Sequence, residues 1–142
     1  MRELEVYMSA YQLDIVSMDG REYSGNVEKL LLRTIDGDVE ILARHMNYCT
    51  AIGMGTAHVV MEDGTERSAA CIGGMLSVMN GICRVLPTTW EWSDEIDLDR
   101  ANSAKERAEK ALLDEKLDAE ARVRAQAKLY RALVRIGSAN RD

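Results

Sequence analysis

Glycine and alanine occupy opposite ends of this chain, and that segregation constrains its fold more than any other feature. Gly20, Gly25, Gly37, Gly53, Gly55, Gly64, Gly73, Gly74 and Gly81 all precede Pro87, the only proline, and Gly137 alone follows it. Alanine does the reverse, with Ala101, Ala104, Ala108, Ala111, Ala119, Ala121, Ala125, Ala127 and Ala132 crowding the last third. Glycine among β-branched residues favours strands and tight turns, whereas alanine among Glu, Lys, Arg and Leu favours helix. The sequence therefore predicts two units, residues 1–92 and residues 93–142, with the change of character across residues 90–94.

In the first unit, Asp19-Gly20, Asp36-Gly37, Asp63-Gly64 and Asn80-Gly81 read as hairpin reversals, because these residues tolerate positive φ. Strand-like runs flank them at residues 11–16, 23–27, 30–34, 39–42, 56–61, 65–71, 75–79 and 82–86. Short strands at this spacing predict an antiparallel β sandwich or barrel of about ten strands. Trp90 and Trp92, at its end, read as hydrophobic anchors for whatever follows.

The second unit reads as an antiparallel α-helical hairpin. Asp97 caps a first helix running to about Leu113, with Leu98, Ala101, Ala104 or Ala108, and Leu112 on one face. After a polar break, a second helix runs from Ala119 to about Ile136, with Gly137 and Asn140 ending it. Val123, Ala127, Tyr130 and Val134 form its stripe, with Leu129, Leu133 and Ile136 beside them. Charge divides the hairpin. Residues 93–120 hold five bases against ten acids, and residues 121–142 hold six bases against one acid. Two readings remain open: salt bridging between the helices, or an acidic surface elsewhere for the basic helix to visit.

Several function classes are excluded. The net charge of −6 argues against nucleic acid as the main partner. No apolar run approaches the ~20 residues needed to span a bilayer. The stretch Met1-Arg2-Glu3-Leu4-Glu5 resembles neither a signal nor a transit peptide, so a cytosolic start is expected. Cys49, Cys71 and Cys83 form no CxxC pair and read as free thiols in a reducing compartment. His45 and His58 stand in no nucleophile or metal-ligand pattern, and Gly53-Met54-Gly55 is too short to cradle phosphate. Neither a catalytic residue nor a metal site is expected.

Five motifs in order carry a family resemblance along nearly the whole chain. They are Tyr11-Gln12-Leu13-Asp14-Ile15-Val16-Ser17 with Asp19-Gly20, Tyr23-Ser24-Gly25-Asn26-Val27, the stretch from Asp36 to His45, Ile72-Gly73-Gly74-Met75-Leu76-Ser77-Val78, and Ile96-Asp97-Leu98-Asp99-Arg100-Ala101. Together they resemble the epsilon subunit of bacterial F-type ATP synthase. Glu40, Ala43 and Arg44 depart from the family's Gly, Pro and Gly around the central turn. Cys49 and several methionines occupy sandwich positions more often filled by Val, Leu or Phe, as volume-tolerant core residues.

The resemblance implies a non-catalytic subunit of the rotor's central stalk, peripheral on the cytoplasmic face of the bacterial cell membrane. It implies a sandwich bound to the gamma subunit and the ring of c subunits. It also implies helices that fold on the sandwich or extend toward the alpha and beta subunits and inhibit ATP hydrolysis. It assigns contacts with beta to Arg122, Arg124, Lys128, Arg131 and Arg135. No cofactor is required, but ATP is implied as a regulatory ligand of Glu91, Ile96, Asp97, Arg100, Ala101, Arg107, Arg131 and Arg135. Of these, Arg100 and Arg131 are expected to matter most, one from each helix. The alternative is an independent ligand-binding β-barrel with a helical dimerisation hairpin.

Overall fold

The computed structural model describes residues 9–139; the acidic N-terminal residues, Asn140, Arg141 and Asp142 lie outside the described residues. Alternating burial sets each strand's face. In β1 (Tyr11–Val16), Tyr11, Leu13 and Ile15 turn inward and their neighbours outward. The strands that follow are β2 (Glu22–Thr34), β3 (Gly37–Leu42), β4 (Tyr48–Ala51), β5 (Met54–Met61), β6 (Glu66–Ile72), β7 (Met75–Met79), β8 (Ile82–Leu86) and β9 (Thr89–Trp92). They pair in the order β4-β7-β8-β1-β2-β5-β6-β9, with β3 also on β2.

One strand serves both layers. The segments expected at 23–27 and 30–34 are a single strand, β2, interrupted by a bulge between Val27 and Lys29. Its first half carries β1, and its second half carries β3. A bulge bends and twists a strand, so β2 passes from one layer of the sandwich to the other without a break in chain. All pairings are antiparallel except that of β1 with β8, which is parallel. The short strands β4 and β9 carry no Asp-Gly or Asn-Gly signal and escape the sequence pattern.

Asn80-Gly81 forms the two-residue turn its sequence predicts, with φ of 52° and 80° between paired Met79 and Ile82. The Asp19-Gly20 and Asp63-Gly64 reversals are one residue longer, closed by Ser17 N–H to Arg21 O and Met61 N–H to Thr65 O. Gly74 is constrained more tightly. At φ +100° its missing Cβ would sit 2.0 Å from the Leu86 carbonyl oxygen and 2.6 Å from Pro87 Cα.

The core between the layers holds Leu13, Ile15, Val27, Leu30, Leu32, Ile41, Val59, Leu76, Val85 and Trp90, each at most 1% exposed. Tyr11 donates its hydroxyl to the Ile41 carbonyl at 2.6 Å, and burial pushes that phenol far above its ordinary range. The methionines refill this core less than expected: Met61 packs against it partly buried, but Met18, Met46, Met54, Met75 and Met79 lie exposed, and aliphatic side chains and the two tryptophans supply the volume instead. Trp90 and Trp92 likewise belong to the sandwich core, stacked edge to face at 5.2 Å, and do not anchor the hairpin.

A 3-10 turn (Ser93–Glu95) leads to α1 (Leu98–Leu112) and α2 (Ala119–Ala139). The Asp97 carboxylate accepts the Arg100 N–H at 3.1 Å, and Asp118 accepts the Ala121 N–H at 2.7 Å. Ala101, Ala108, Ala125 and Ala132 are buried, so the helices approach one another and the sandwich closely. The apolar stripe of α2 is split: Val123, Tyr130 and Leu133 are 64%, 59% and 42% exposed, whereas Ala127, Leu129, Val134 and Ile136 are half-buried. The fully buried positions of the helix belong to small residues, Ala125, Ala132 and Ser138.

All three cysteines are free, Cys49 exposed and Cys71 and Cys83 buried. Burial pushes the Cys71 and Cys83 thiols up to about 12. A thiol acidity weakened by folding stabilises the fold below its ordinary value of 9.0, and that stabilisation fades as pH rises from there toward 12. At pH 8 one thiol per folded chain, Cys49, should react with a thiol-specific reagent, and all three in denaturant; fast reaction of more than one would contradict the packing. Gly74→Ala should cost at least ~2 kcal/mol in denaturant unfolding, against about 1 kcal/mol for Gly81→Ala. Nothing lies within 4 Å of the added methyl in the latter.

Candidate functional site

The site begins with the alternation of β9. Trp90 and Trp92 point into the core, so Glu91 and Thr89 between and before them point out, beneath the hairpin. On the neighbouring strand β6, Ala70 and Ile72 share that outer face, opposite Glu91 and Thr89. Helix α2 packs over β5 and β6. Its residues Arg124, Lys128, Arg131 and Arg135, spaced four, three and four apart, fall on one face and look down into the gap. Helix α1 adds Arg107 among alanines, and the β1–β2 turn adds Asp19 and Arg21. The resulting cleft encloses about 710 Å3.

Six cationic side chains and two carboxylates line it. Arg135 grips Glu91 with two nitrogens, at 2.8 Å and 3.3 Å, and both side chains are about three-quarters buried. Arg21 is paired with Glu95, and Arg124 with Glu120 on its own helix at 3.2 Å. Asp19 accepts from the Ser17 hydroxyl. Arg107, Lys128 and Arg131 have no ion-pair partner among the described residues. Among the same residues no ion pair joins the two helices, since Lys105–Glu109 and Arg124–Glu120 each stay within one helix. The cleft thus holds unneutralised positive charge that suits an anion.

Of the residues assigned to ATP by resemblance, Glu91, Arg107, Arg131 and Arg135 line the cleft, whereas Ile96, Asp97, Arg100 and Ala101 do not. Asp97 is the cap of α1, and Ala101 is fully buried in packing. Helix α1 sends Arg107, not Arg100, toward Arg131. Arg122, assigned to contacts with beta, donates to the Leu112 and Asp114 carbonyls at 3.1 Å and 3.0 Å and closes the end of α1. Arg124, Lys128, Arg131 and Arg135, assigned with it, line the cleft, Arg135 half-buried and the other three exposed to solvent at its mouth. Sequence reasoning misses Asp19, Arg21, Ala70, Ile72 and Thr89 as cleft residues. For Ala70 and Ile72 the signal is the small-residue run Ser68-Ala69-Ala70-Cys71, buried on both faces of β6; Asp19, Arg21 and Thr89 carry none.

The histidines make local contacts. His45 Nδ1 lies 2.8 Å from the Met46 carbonyl, and His58 Nδ1 lies 3.1 Å from Ser68 Oγ and 3.2 Å from Glu66. Among the described residues no three His, Cys, Asp or Glu side chains are grouped to hold a metal. No helix among them is long and apolar enough to cross a membrane.

A two-layer β sandwich carrying a helical hairpin over a basic cleft is an architecture with known relatives. The family described as ATP synthase, Delta/Epsilon chain, beta-sandwich domain matches residues 10–93. ATP synthase, Delta/Epsilon chain, long alpha-helix domain matches residues 94–140. The ATP synthase epsilon chain of Caldicellulosiruptor bescii is 41% identical over 129 residues, 91% of this chain and 93% of that one. That of Shouchella clausii is 33% identical over 91% of this chain and 94% of its own. The sodium ion specific epsilon chain of Acetobacterium woodii is 34% identical over 76% and 81%. A chain in the Euglena gracilis mitochondrial ATP synthase (OSCP/F1/c-ring, rotational state 1) superposes with TM-score 0.73 at 20% identity, covering 87% of this chain and 79% of that one, a likeness of fold. The chain belongs to the family of F-type ATP synthase epsilon subunits.

The Glu91–Arg135 pair ties the hairpin to the sandwich, helped by the Thr56 and buried Ser138 hydroxyls at 2.8 Å. Arg135→Ala should weaken docking by roughly 1–2 kcal/mol and speed amide exchange in α2 about tenfold, leaving exchange in the sandwich core unchanged. Glu91→Arg combined with Arg135→Glu should restore slow exchange. Equal exchange in all three proteins would remove the pair's role.

Proposed function

We propose that this chain is the non-catalytic regulatory and coupling subunit of the central stalk of a rotary ATP synthase. The sandwich binds the gamma subunit and the c-subunit ring, on the cytoplasmic face of the bacterial membrane, and so transmits rotation. The helices switch between a form folded on the sandwich and a form extended toward the alpha and beta subunits, which inhibits ATP hydrolysis. ATP in the cleft holds the folded form. What supports this reading above all is the cleft itself: the hairpin rests on alanines, and six cationic side chains line the opening beside them, most of them exposed.

Geometry and energy agree with such a switch. Helices of 15 and 21 residues span ~54 Å end to end but ~32 Å as a hairpin. Alanine contacts bury little area each, so folded and extended forms lie close in free energy. A ligand that binds the folded form alone stabilises it by ~2.7 kcal/mol at a hundred times its Kd, enough to move the population.

Ending the chain after Trp92 should leave co-purification with gamma intact and raise ATP hydrolysis by the assembled complex several-fold. The isolated full chain should hydrolyse no ATP. Loss of gamma binding on truncation would assign the anchoring to the helices and overturn the division of labour.

A further inference from the structure

The link between sandwich and hairpin holds two residues whose backbone differs from that on either side. Ahead of them, the 3-10 turn Ser93–Glu95 belongs mechanically to the sandwich. Trp92 and Ser93 are buried, and Arg21 pairs with Glu95. Arg67 lies over the Trp92 ring at 3.8 Å, with a nitrogen 3.9 Å from the Asp94 carboxylate. Beyond them, α1 packs chiefly on α2, and it is α2 that meets β5, β6 and the turn. Between stand Ile96, at φ −73° and ψ 125°, and Asp97, at φ −80° and ψ 98°, both extended. These two residues alone keep the turn and α1 from being one helix.

The chain is ready for helix on both sides of the break. The Ile96 N–H already donates to the Ser93 carbonyl at 3.4 Å, a contact of the tighter 3-10 kind. A helix leaves its first N–H groups without intrahelical partners, and in α1 the Asp97 carboxylate takes that of Arg100. With Ile96 and Asp97 helical, the Ser93, Asp94, Glu95 and Ile96 carbonyls would accept from Asp97, Leu98, Asp99 and Arg100, each four residues on. Asp94 and Glu95 would stand in the first turn of the longer helix, where carboxylates meet the positive end of its dipole. What opposes the change is the docked position itself: α1 cannot take a new direction while Glu91–Arg135 and Thr56–Ser138 hold α2 to the sandwich.

We infer that leaving the sandwich converts Ile96 and Asp97 to helix, fusing the 3-10 turn and α1 into one helix from Ser93 to Leu112 that re-aims the hairpin. The inference rests on the proposed reading that the hairpin folds and extends, and it locates the pivot of that motion. Two residues absorb the change of direction, while the turn stays with the sandwich and α1 moves as a rigid piece. The Asp97 cap is given up, and a row of backbone hydrogen bonds replaces it.

Leu98→Pro separates the two forms. Proline suits the first residue of α1 in the docked form, where it follows extended Asp97 and leaves that carboxylate in place. Inside the fused helix it lacks the N–H that Asp94 would accept and crowds that carbonyl, disfavouring fusion about a hundredfold. Leu98→Ala removes the same side chain and suits both forms. In the assembled complex, Leu98→Pro should raise ATP hydrolysis several-fold, to the level given by the chain ended after Trp92, and Leu98→Ala should stay within about twofold of the unaltered chain. In the isolated full chain, Arg135→Glu sets like charges together at Glu91 and should release α2, read as fast amide exchange. Backbone chemical shifts of Ile96 and Asp97 should then turn helical, and return to extended values when Leu98→Pro is added. Melting curves check that each variant keeps its sandwich. Hydrolysis unchanged by Leu98→Pro although truncation raises it, or extended shifts at Ile96 and Asp97 with α2 released, would overturn the inference and leave inhibition by the helices standing. Slow α2 exchange in Arg135→Glu would show that the tie does not hold the hairpin, and would overturn the inference too. Hydrolysis unmoved by the truncation itself would overturn the proposed reading and the inference with it.

Discussion

From Ser68 onward strand β6 offers neither face to water: Ser68, Ala69, Ala70, Cys71 and Ile72 are all buried. One face packs into the sandwich core and the other lies beneath the hairpin, and the remaining architecture follows from that double burial. A strand covered on both sides cannot carry the polar alternation of a surface strand. Its residues must also be small where a helix lies close, which is why Ala70 stands under α2. The same closeness requires alanine on the facing side of the helices, at Ala108, Ala125 and Ala132. The hairpin therefore meets the sandwich through methyl groups and keeps its long cationic side chains for the gap beside them.

The sequence pattern and the structure agree where local chemistry decides. Asn80-Gly81 specifies its turn because both residues accept positive φ, and Asp97 caps α1 because a carboxylate there meets an otherwise orphaned N–H. They part where pairing over long distance decides. The parallel contact of β1 with β8 joins segments about seventy residues apart, with no turn between them to announce it. The bulge in β2 hides a single long strand behind what reads as two short ones. Trp90 and Trp92 look like anchors for the helices because they border them in sequence, yet the pleat sends both into the core and leaves Glu91 to meet the hairpin.

The site was legible in part for the same reason. Arg124, Lys128, Arg131 and Arg135 recur at helical spacing, so a basic face was readable, but not what it looked upon. An apolar stripe of Val123, Ala127, Tyr130 and Val134 on the same helix competes for the inward position and would normally win it, since burying large side chains stabilises more than burying alanine. Here the most buried positions belong to Ala125 and Ala132, because small residues fit closest against β6, while Leu129, Val134 and Ile136 are half-buried and most of the cations stay exposed at the cleft. Asp19, Arg21 and Thr89 reach the cleft from turns and strands remote in sequence, and only the assembled fold brings them together.

This inversion bears on how firmly the hairpin is held. With Val123, Tyr130 and Leu133 facing water, the docked hairpin forgoes part of the hydrophobic contribution that normally fixes a helix to its domain. In its place stand contacts that are each modest: alanine methyls, one hydroxyl pair between Thr56 and Ser138, and the ion pair of Glu91 with Arg135. Against them acts the mutual repulsion of Arg107, Lys128 and Arg131, which no carboxylate among the described residues neutralises. A helix held in this way is docked by a narrow margin, because part of its apolar face stays in water while its cations repel one another beside the contact.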